Sequence, residues 1–155
     1  MQQDMNMTLR TFDLHVIRFL RAYSVPFARA GLFVIFFWFG ILKVIGASPA
    51  TGVVQRLFEH TISFMSFPTF FILFGLFECM IGILFLMNGK ERVVIPLLLL
   101  HMIATCGPLV LLPSETWTAP FIPTLEGQYI IKNLAIIGAA IGIASHLHPL
   151  KRKQA

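Results

Sequence analysis

Charge is what this sequence has least of. Asp, Glu, Lys and Arg make up 12% of its 155 residues, about half the share of an ordinary soluble domain. That scarcity excludes a water-soluble globular fold. Cysteine is scarce too: Cys79 and Cys106 form no C-x-x-C pair and no ligand spacing for zinc or an iron–sulfur cluster. Counting depth along helices sets Cys79 past the midplane and Cys106 in the outer half, beyond the ~7 Å between Cα atoms that a disulfide spans. Both read as small buried hydrophobes. The sequence carries no flavin, haem or metal motif, no internal repeat and no low-complexity tract.

Apolar residues fill the space that charge leaves. They make up 57% of the chain, 16 of them Phe, and the mean hydropathy is +0.81. The sequence predicts an all-α integral membrane protein, one membrane domain over 1–155. Four runs are near the ~20 residues that a ~30 Å hydrocarbon layer demands: about 26–46, 67–87, 93–112 and 129–146. The net charge of +5 then concerns topology, and no nucleic-acid partner is expected.

Basic residues set the expected orientation. Arg10, Arg18, Arg21 and Arg29 precede the first span, Lys90 and Arg92 fill the turn NGKER, and Lys151, Arg152 and Lys153 follow the fourth. Of the two remaining connections only one holds a basic residue, Arg56. By the positive-inside rule both termini are expected in the cytoplasm of a bacterial inner membrane. No small-residue cleavage site is evident, so the first span is read as its own uncleaved signal.

The connections carry structure of their own. NGKER predicts an antiparallel hairpin of the second and third spans. In GVVQRLFEHTISFM, apolar residues recur every three or four positions, as in a short amphipathic helix lying on the outer surface. PSETWTAPFIPTLEG carries Pro113, Pro120 and Pro123 and cannot be one helix; an apolar cap is expected, with Trp117 and Phe121 at the interface. TLRTFDLHVIRFLRAYS is amphipathic and basic, which predicts a separate helix along the cytoplasmic face.

Depth sorts the polar residues into two layers. Lys43 at the outer end of the first span, Lys132 and Asn133 at the outer start of the fourth, and Glu115 and Glu126 of the cap form one expected cluster, with Gln128 and Tyr129 beside it. Glu78 and His101 form a second, deeper pair and are candidates for a proton relay. Charge inside a membrane costs roughly 2.5–3.5 kcal/mol on insertion scales, so such groups face inward and pair. Simpler roles stay open. Lys43 as a snorkelling lysine, Glu78 as a protonated acid bonded to a neighbouring helix, and His101 as an interhelical hydrogen-bonding group each fit the same positions. His146 and His148 read as interface residues. Small faces for close helix approach are expected at Gly40, Gly75, Gly82, Gly138 and Gly142, with Gly127 letting the chain turn beneath Glu126.

FWFGILKVIGASPA, GLFECMIG and TLEGQYIIKNLAIIGAA resemble the recurring features of the DoxX-like superfamily of small four-helix bacterial membrane proteins. The branch often called the YkgB or RclC family is the most similar, and the likeness runs from about residue 30 to 144. It is carried by Gly40-x-x-Lys43, Glu78, and Gln128-Tyr129-x-x-Lys132-Asn133. The resemblance implies a four-helix bundle and an association with quinone-linked or oxidative-stress chemistry. The absence of a close cysteine pair departs from a thiol-exchange pattern.

Three functions follow as expectations. The first is a redox- or stress-associated subunit that binds a quinone-like amphiphile in an outer polar pocket, with Lys43 and Lys132 polarising its carbonyls and Phe36, Phe37, Trp38, Phe74 and Tyr129 along its body. It calls for a redox partner subunit, with the lipid bilayer as solvent. The second is a non-enzymatic assembly module whose polar cluster locks the bundle. The third is a small transporter, which would need a homo-oligomer. On the first reading Lys132→Met should abolish ligand binding and spare folding.

Overall fold

The computed structural model describes residues 2–147; His148 and the basic tail of Lys151, Arg152 and Lys153 lie outside them. In chain order the elements are α1 (Gln2–Val44), α2 (Thr51–Thr61), α3 (Phe67–Leu86), α4 (Glu91–Cys106), α5 (Pro108–Leu111) and α6 (Pro113–Thr116). A two-strand hairpin of β1 (Trp117–Ala119) and β2 (Ile122–Pro123) follows, then α7 (Leu125–Ile131) and α8 (Asn133–Ala144). Among the described residues four helical stretches are long and apolar enough to cross a membrane: Leu9–Val44, Phe67–Leu86, Glu91–Leu111 and Leu125–Ala144.

Their limits differ from the expected ones mainly at the N-terminus. The basic amphipathic segment is not a separate helix but the first half of α1, which stays helical through Pro26. A proline removes one N–H from the ladder, and with no helix-breaking partner beside it the chain continues. α1 stops where a glycine lets it. Gly46 has φ +73°, and Gly46 N–H donates to Lys43 O at 3.2 Å while Ala47 N–H donates to Leu42 O at 2.8 Å. That pair of bonds is a Schellman C-cap, whose left-handed residue costs a glycine little.

α1 and α3 run antiparallel in close contact. A Cβ at Gly40 would stand 2.6 Å from Gly75 O and 2.8 Å from Cys79 N, and one at Gly82 would stand 2.9 Å from Phe37 N. Bare glycines at these positions let two backbones meet, the small-residue packing that membrane helices use where no hydrophobic drive exists between them. Gly138 and Gly142 face open space and do not serve this purpose. Beyond these glycines apolar side chains fill the bundle. Leu32 and Phe36 of α1, Ile81 and Phe85 of α3, Val94, Leu98 and Met102 of α4, and Ala140 and Ile143 of α8 form one buried core. Arg29 closes that end: its Nε–H donates to Phe85 O at 2.7 Å and its guanidinium pairs with Glu91 at 2.6 Å. The start of the first span and the α3–α4 turn therefore share one end of the bundle.

The opposite end carries α2 and the cap. α2 is amphipathic as expected, and its buried Phe58 packs on the rings of Phe67 and Phe70. Prolines break the cap into short pieces held by side chain to backbone bonds. Thr116 Oγ1–H reaches Leu112 O at 3.1 Å, Trp117 Nε1–H reaches Leu109 O at 3.0 Å, and Thr124 Oγ1–H reaches Glu115 O at 2.6 Å. Gly127 is required for packing rather than for a turn: a Cβ there would fall 2.1 Å from Thr116 O. Phe121 stands 94% exposed at the hairpin tip with φ +62°. Cys79 and Cys106 are free thiols.

Candidate functional site

Three ionisable side chains from three helices meet in the bundle. Lys43 of α1 donates from Nζ to Glu78 Oε2 of α3 at 2.6 Å, and His101 Nε2 of α4 lies 2.9 Å from Glu78 Oε1. All three are almost sealed, with 5%, 5% and 4% of their surface exposed. The helix directions explain the convergence. Lys43 and Glu78 each stand three residues beyond a glycine of the α1–α3 contact, Gly40 and Gly75, about 4.5 Å along opposed axes. Side chains lean toward their own helix N-terminus, so in an antiparallel pair the two lean toward each other. Both carboxylate oxygens thus receive a hydrogen bond, and the anion lies against a cation, which is what a buried charge requires.

Aromatic rings complete the enclosure. The Phe74 ring stacks on His101 at 5.0 Å and 7°, Phe36 meets the same imidazole edge-on at 5.3 Å, and Lys43 Nζ lies 5.6 Å from the Phe74 centroid. Phe74 therefore touches both ends of the cluster.

The cluster forms part of the wall of a cavity of about 580 Å³ between α2, α3, α4 and α5. The rest of the lining is mostly apolar, including Val54 and Leu57 of α2, Phe70 of α3 and Ile103 of α4. Lys43, Glu78 and His101 are its ionisable groups among the described residues. Leu100, Ile103 and Leu111 of its lining are exposed, and they belong to the stretch Glu91–Leu111, which is long and apolar enough to cross a membrane.

Known protein families, curated proteins and solved structures offer no match to this chain. The site is read from its own chemistry.

That chemistry redistributes the expected outer cluster. Lys43 leaves it for Glu78, so the two layers that depth counting separates are joined by the length of one lysine stem. Glu78 and His101 face each other as expected. Glu115 pairs with Arg56 of α2 and ties α2 to the cap. Glu126 is exposed in the first turn of α7, where a carboxylate favours the helix N-terminus; Thr124 caps that turn by accepting from Gly127 N–H at 3.1 Å. Gln128 and Tyr129 are exposed. Asn133 donates to Thr105 Oγ1 at 3.5 Å and links α8 to α4. Lys132 is exposed with its ammonium 5.0 Å from the Tyr129 centroid. It does not meet Lys43, because it turns to the outer face of its helix, where its charge stays accessible to solvent or head groups. Of the five aromatic residues expected along a ligand's body, only Phe74 lines the cavity.

Lys132→Met is accordingly expected to be near neutral, within about 0.5 kcal/mol of stability as for surface changes generally, with ligand retention unchanged. A thermal melt in detergent and a retention assay at matched protein levels check it; loss of retention would return Lys132 to the site.

The sequence held one signal for the Lys43–Glu78 pair that depth counting passes over: the paired spacings Gly40-x-x-Lys43 and Gly75-x-x-Glu78. The contribution of α2 and α5 to the cavity has no comparable signature.

Proposed function

We propose that this chain is a multi-pass inner-membrane protein of the DoxX-like type that holds a quinone-like amphiphile in the α2–α5 cavity. Its role would be that of a redox- or oxidative-stress-associated subunit. One observation carries the reading: a largely apolar cavity, bordered by exposed residues of an apolar helix long enough to cross a membrane, has a buried ionic cluster in its wall. Ligand sites have this form, an apolar body with a few convergent polar groups. The Lys43 ammonium has three N–H donors, and those beyond the one that Glu78 receives can bond a head-group oxygen. A tail would lie along Leu57, Phe70 and Ile103 and leave between α3 and α4 into lipid. A partner subunit would supply or take electrons.

Native mass spectrometry of protein extracted in mild detergent tests this. A polyisoprenoid quinone or similar amphiphile should co-purify at near one equivalent and be lost in Ala104→Phe, which fills the cavity from its wall. Equal retention by wild type and Ala104→Phe would sink the reading. A second reading has an observation of its own: both oxygens of Glu78 are satisfied within the protein, as in a lock that fixes three helices for partner assembly. Extraction with no amphiphile bound would favour that lock.

Orientation follows from the basic residues, with both termini cytoplasmic and the cap outside. Reporter fusions after Ser48 and Thr118 are expected to score as external; a cytoplasmic signal at either site would reverse the topology.

A further inference from the structure

α2 is the cavity wall that stands outside the four long apolar stretches. Val53, Val54, Leu57, Phe58 and Thr61 line the space, and apart from Ala50 and Ile62 at the helix ends every other lining residue belongs to one of those stretches. The opposite face of α2, with Gln55, Arg56, Glu59 and His60, is exposed.

Little holds this helix in place. Its side-chain hydrogen bonds stay within it, as from Gln55 to Glu59 at 2.9 Å and from Thr61 to Leu57 O at 2.7 Å, or reach Ser48 just before it. Among the described residues its one polar tie to another element is the ion pair of Arg56 with Glu115 of α6. The two side chains are 48% and 24% exposed, so water and salt reach the pair. Phe58 is the one buried residue of α2, seated on Phe67 and Phe70. Non-helical chain flanks the helix on both sides, at 45–50 and 62–66, and Gly46 supplies a left-handed turn in the first.

A helix of eleven residues has little stability of its own, and units with few buried contacts are the ones that open locally. The apolar face that lines the cavity is also the face that an amphipathic helix lays into a bilayer surface, so α2 can leave the cavity without turning that face to water. The transfer costs little more than the Phe58 contact and the ion pair.

We propose that α2 is a lid on the cavity, latched to the cap by Arg56 and Glu115, and that it swings away as the amphiphile enters and leaves. The proposal rests on the cavity being a ligand site. Arg56 and Glu115 touch no ligand in it; they set how fast the lid opens.

The test follows release of radiolabelled decylubiquinone, a short-tailed quinone, from the full chain in detergent after a chase with unlabelled probe. Arg56→Glu should speed release about two- to fivefold, the range that an exposed ion pair supports, and adding Glu115→Arg should restore the wild-type rate. Arg56→Cys with Glu115→Cys, in protein carrying Cys79→Ala and Cys106→Ala, can be bridged by a short bis-maleimide. Bridging should slow release about tenfold or more, because lid opening then limits it. Hydrogen exchange of the wild-type protein gives a readout that needs no variant: the α2 amides should exchange together and faster than those of α3. Equal release with and without the bridge, or α2 amides as protected as those of α3, would overturn the lid and leave the cavity reading intact. A charge-exchanged protein that releases as fast as Arg56→Glu would overturn the latch. Retention of the probe no greater than in Ala104→Phe would overturn the cavity reading and the lid with it.

Discussion

Lys43→Met is expected to destabilise the protein by roughly 3 kcal/mol, and Lys43→Met with Glu78→Gln to recover most of that loss. The single change leaves the Glu78 carboxylate sealed beside a neutral imidazole, and removing one partner of a buried pair costs about 3–5 kcal/mol because the other charge stays uncompensated. The double change removes both charges and keeps an amide oxygen for the His101 Nε2–H, so nothing charged remains unbalanced. Removing both partners of such pairs is often neutral or better. Binding should separate from stability here. On the proposed function the double variant should fold yet fail to retain the amphiphile, since the ammonium proposed to meet the head group is gone. Denaturation midpoints in detergent together with native mass spectra report the two quantities independently. A double variant as unstable as Lys43→Met would show that the pair does more than balance charge, and one that folds and still retains ligand would remove Lys43 from the binding site.

Gly75→Ala is the second substitution with a large expected effect. Its Cβ would fall 2.7 Å from Gly40 O and 2.8 Å from Lys43 Cβ, and neither neighbour is the free end of a flexible side chain. The α1 and α3 backbones must part, at a cost of about 1–3 kcal/mol as for other overpacked interiors. Parting them also lengthens the reach from Lys43 to Glu78, so ligand retention should fall along with the melting temperature. Gly138→Ala is the internal control: nothing lies within 4 Å of a Cβ there, and alanine is the better helix former by about 1 kcal/mol. It should be neutral or stabilising. If the two alanine variants melt alike, the close approach at Gly75 does not hold α1 to α3.

The comparison of these two glycines shows where sequence reading stops. Both stand in apolar helical runs, and both look like small faces for helix contact. Gly75 meets another backbone and Gly138 meets nothing, because the rotation of each helix about its axis depends on all its neighbours at once. The same limit separates Lys43 from Lys132. Each is a lone cation near a span's cap end, and depth counting puts them together. One turns into the α1–α3 contact, and the other turns out over Tyr129.

Composition and periodicity by themselves determined the all-α character of the fold, its four apolar stretches, the short amphipathic α2, the broken cap and the opposition of Glu78 to His101. Each of these is a local property: hydropathy summed along a run, proline placement, or a turn too short to let two helices separate at its ends. Only the tertiary structure decided that Lys43 joins Glu78, that α2 and α5 wall a cavity beside the cluster, and that Arg56 ties α2 to Glu115 of the cap. Those are properties of helix rotation and side-chain reach. A lysine stem of four carbons can serve either of two layers, and which one it serves depends on the backbone facing it. Here that backbone is α3, brought close by Gly40 and Gly75.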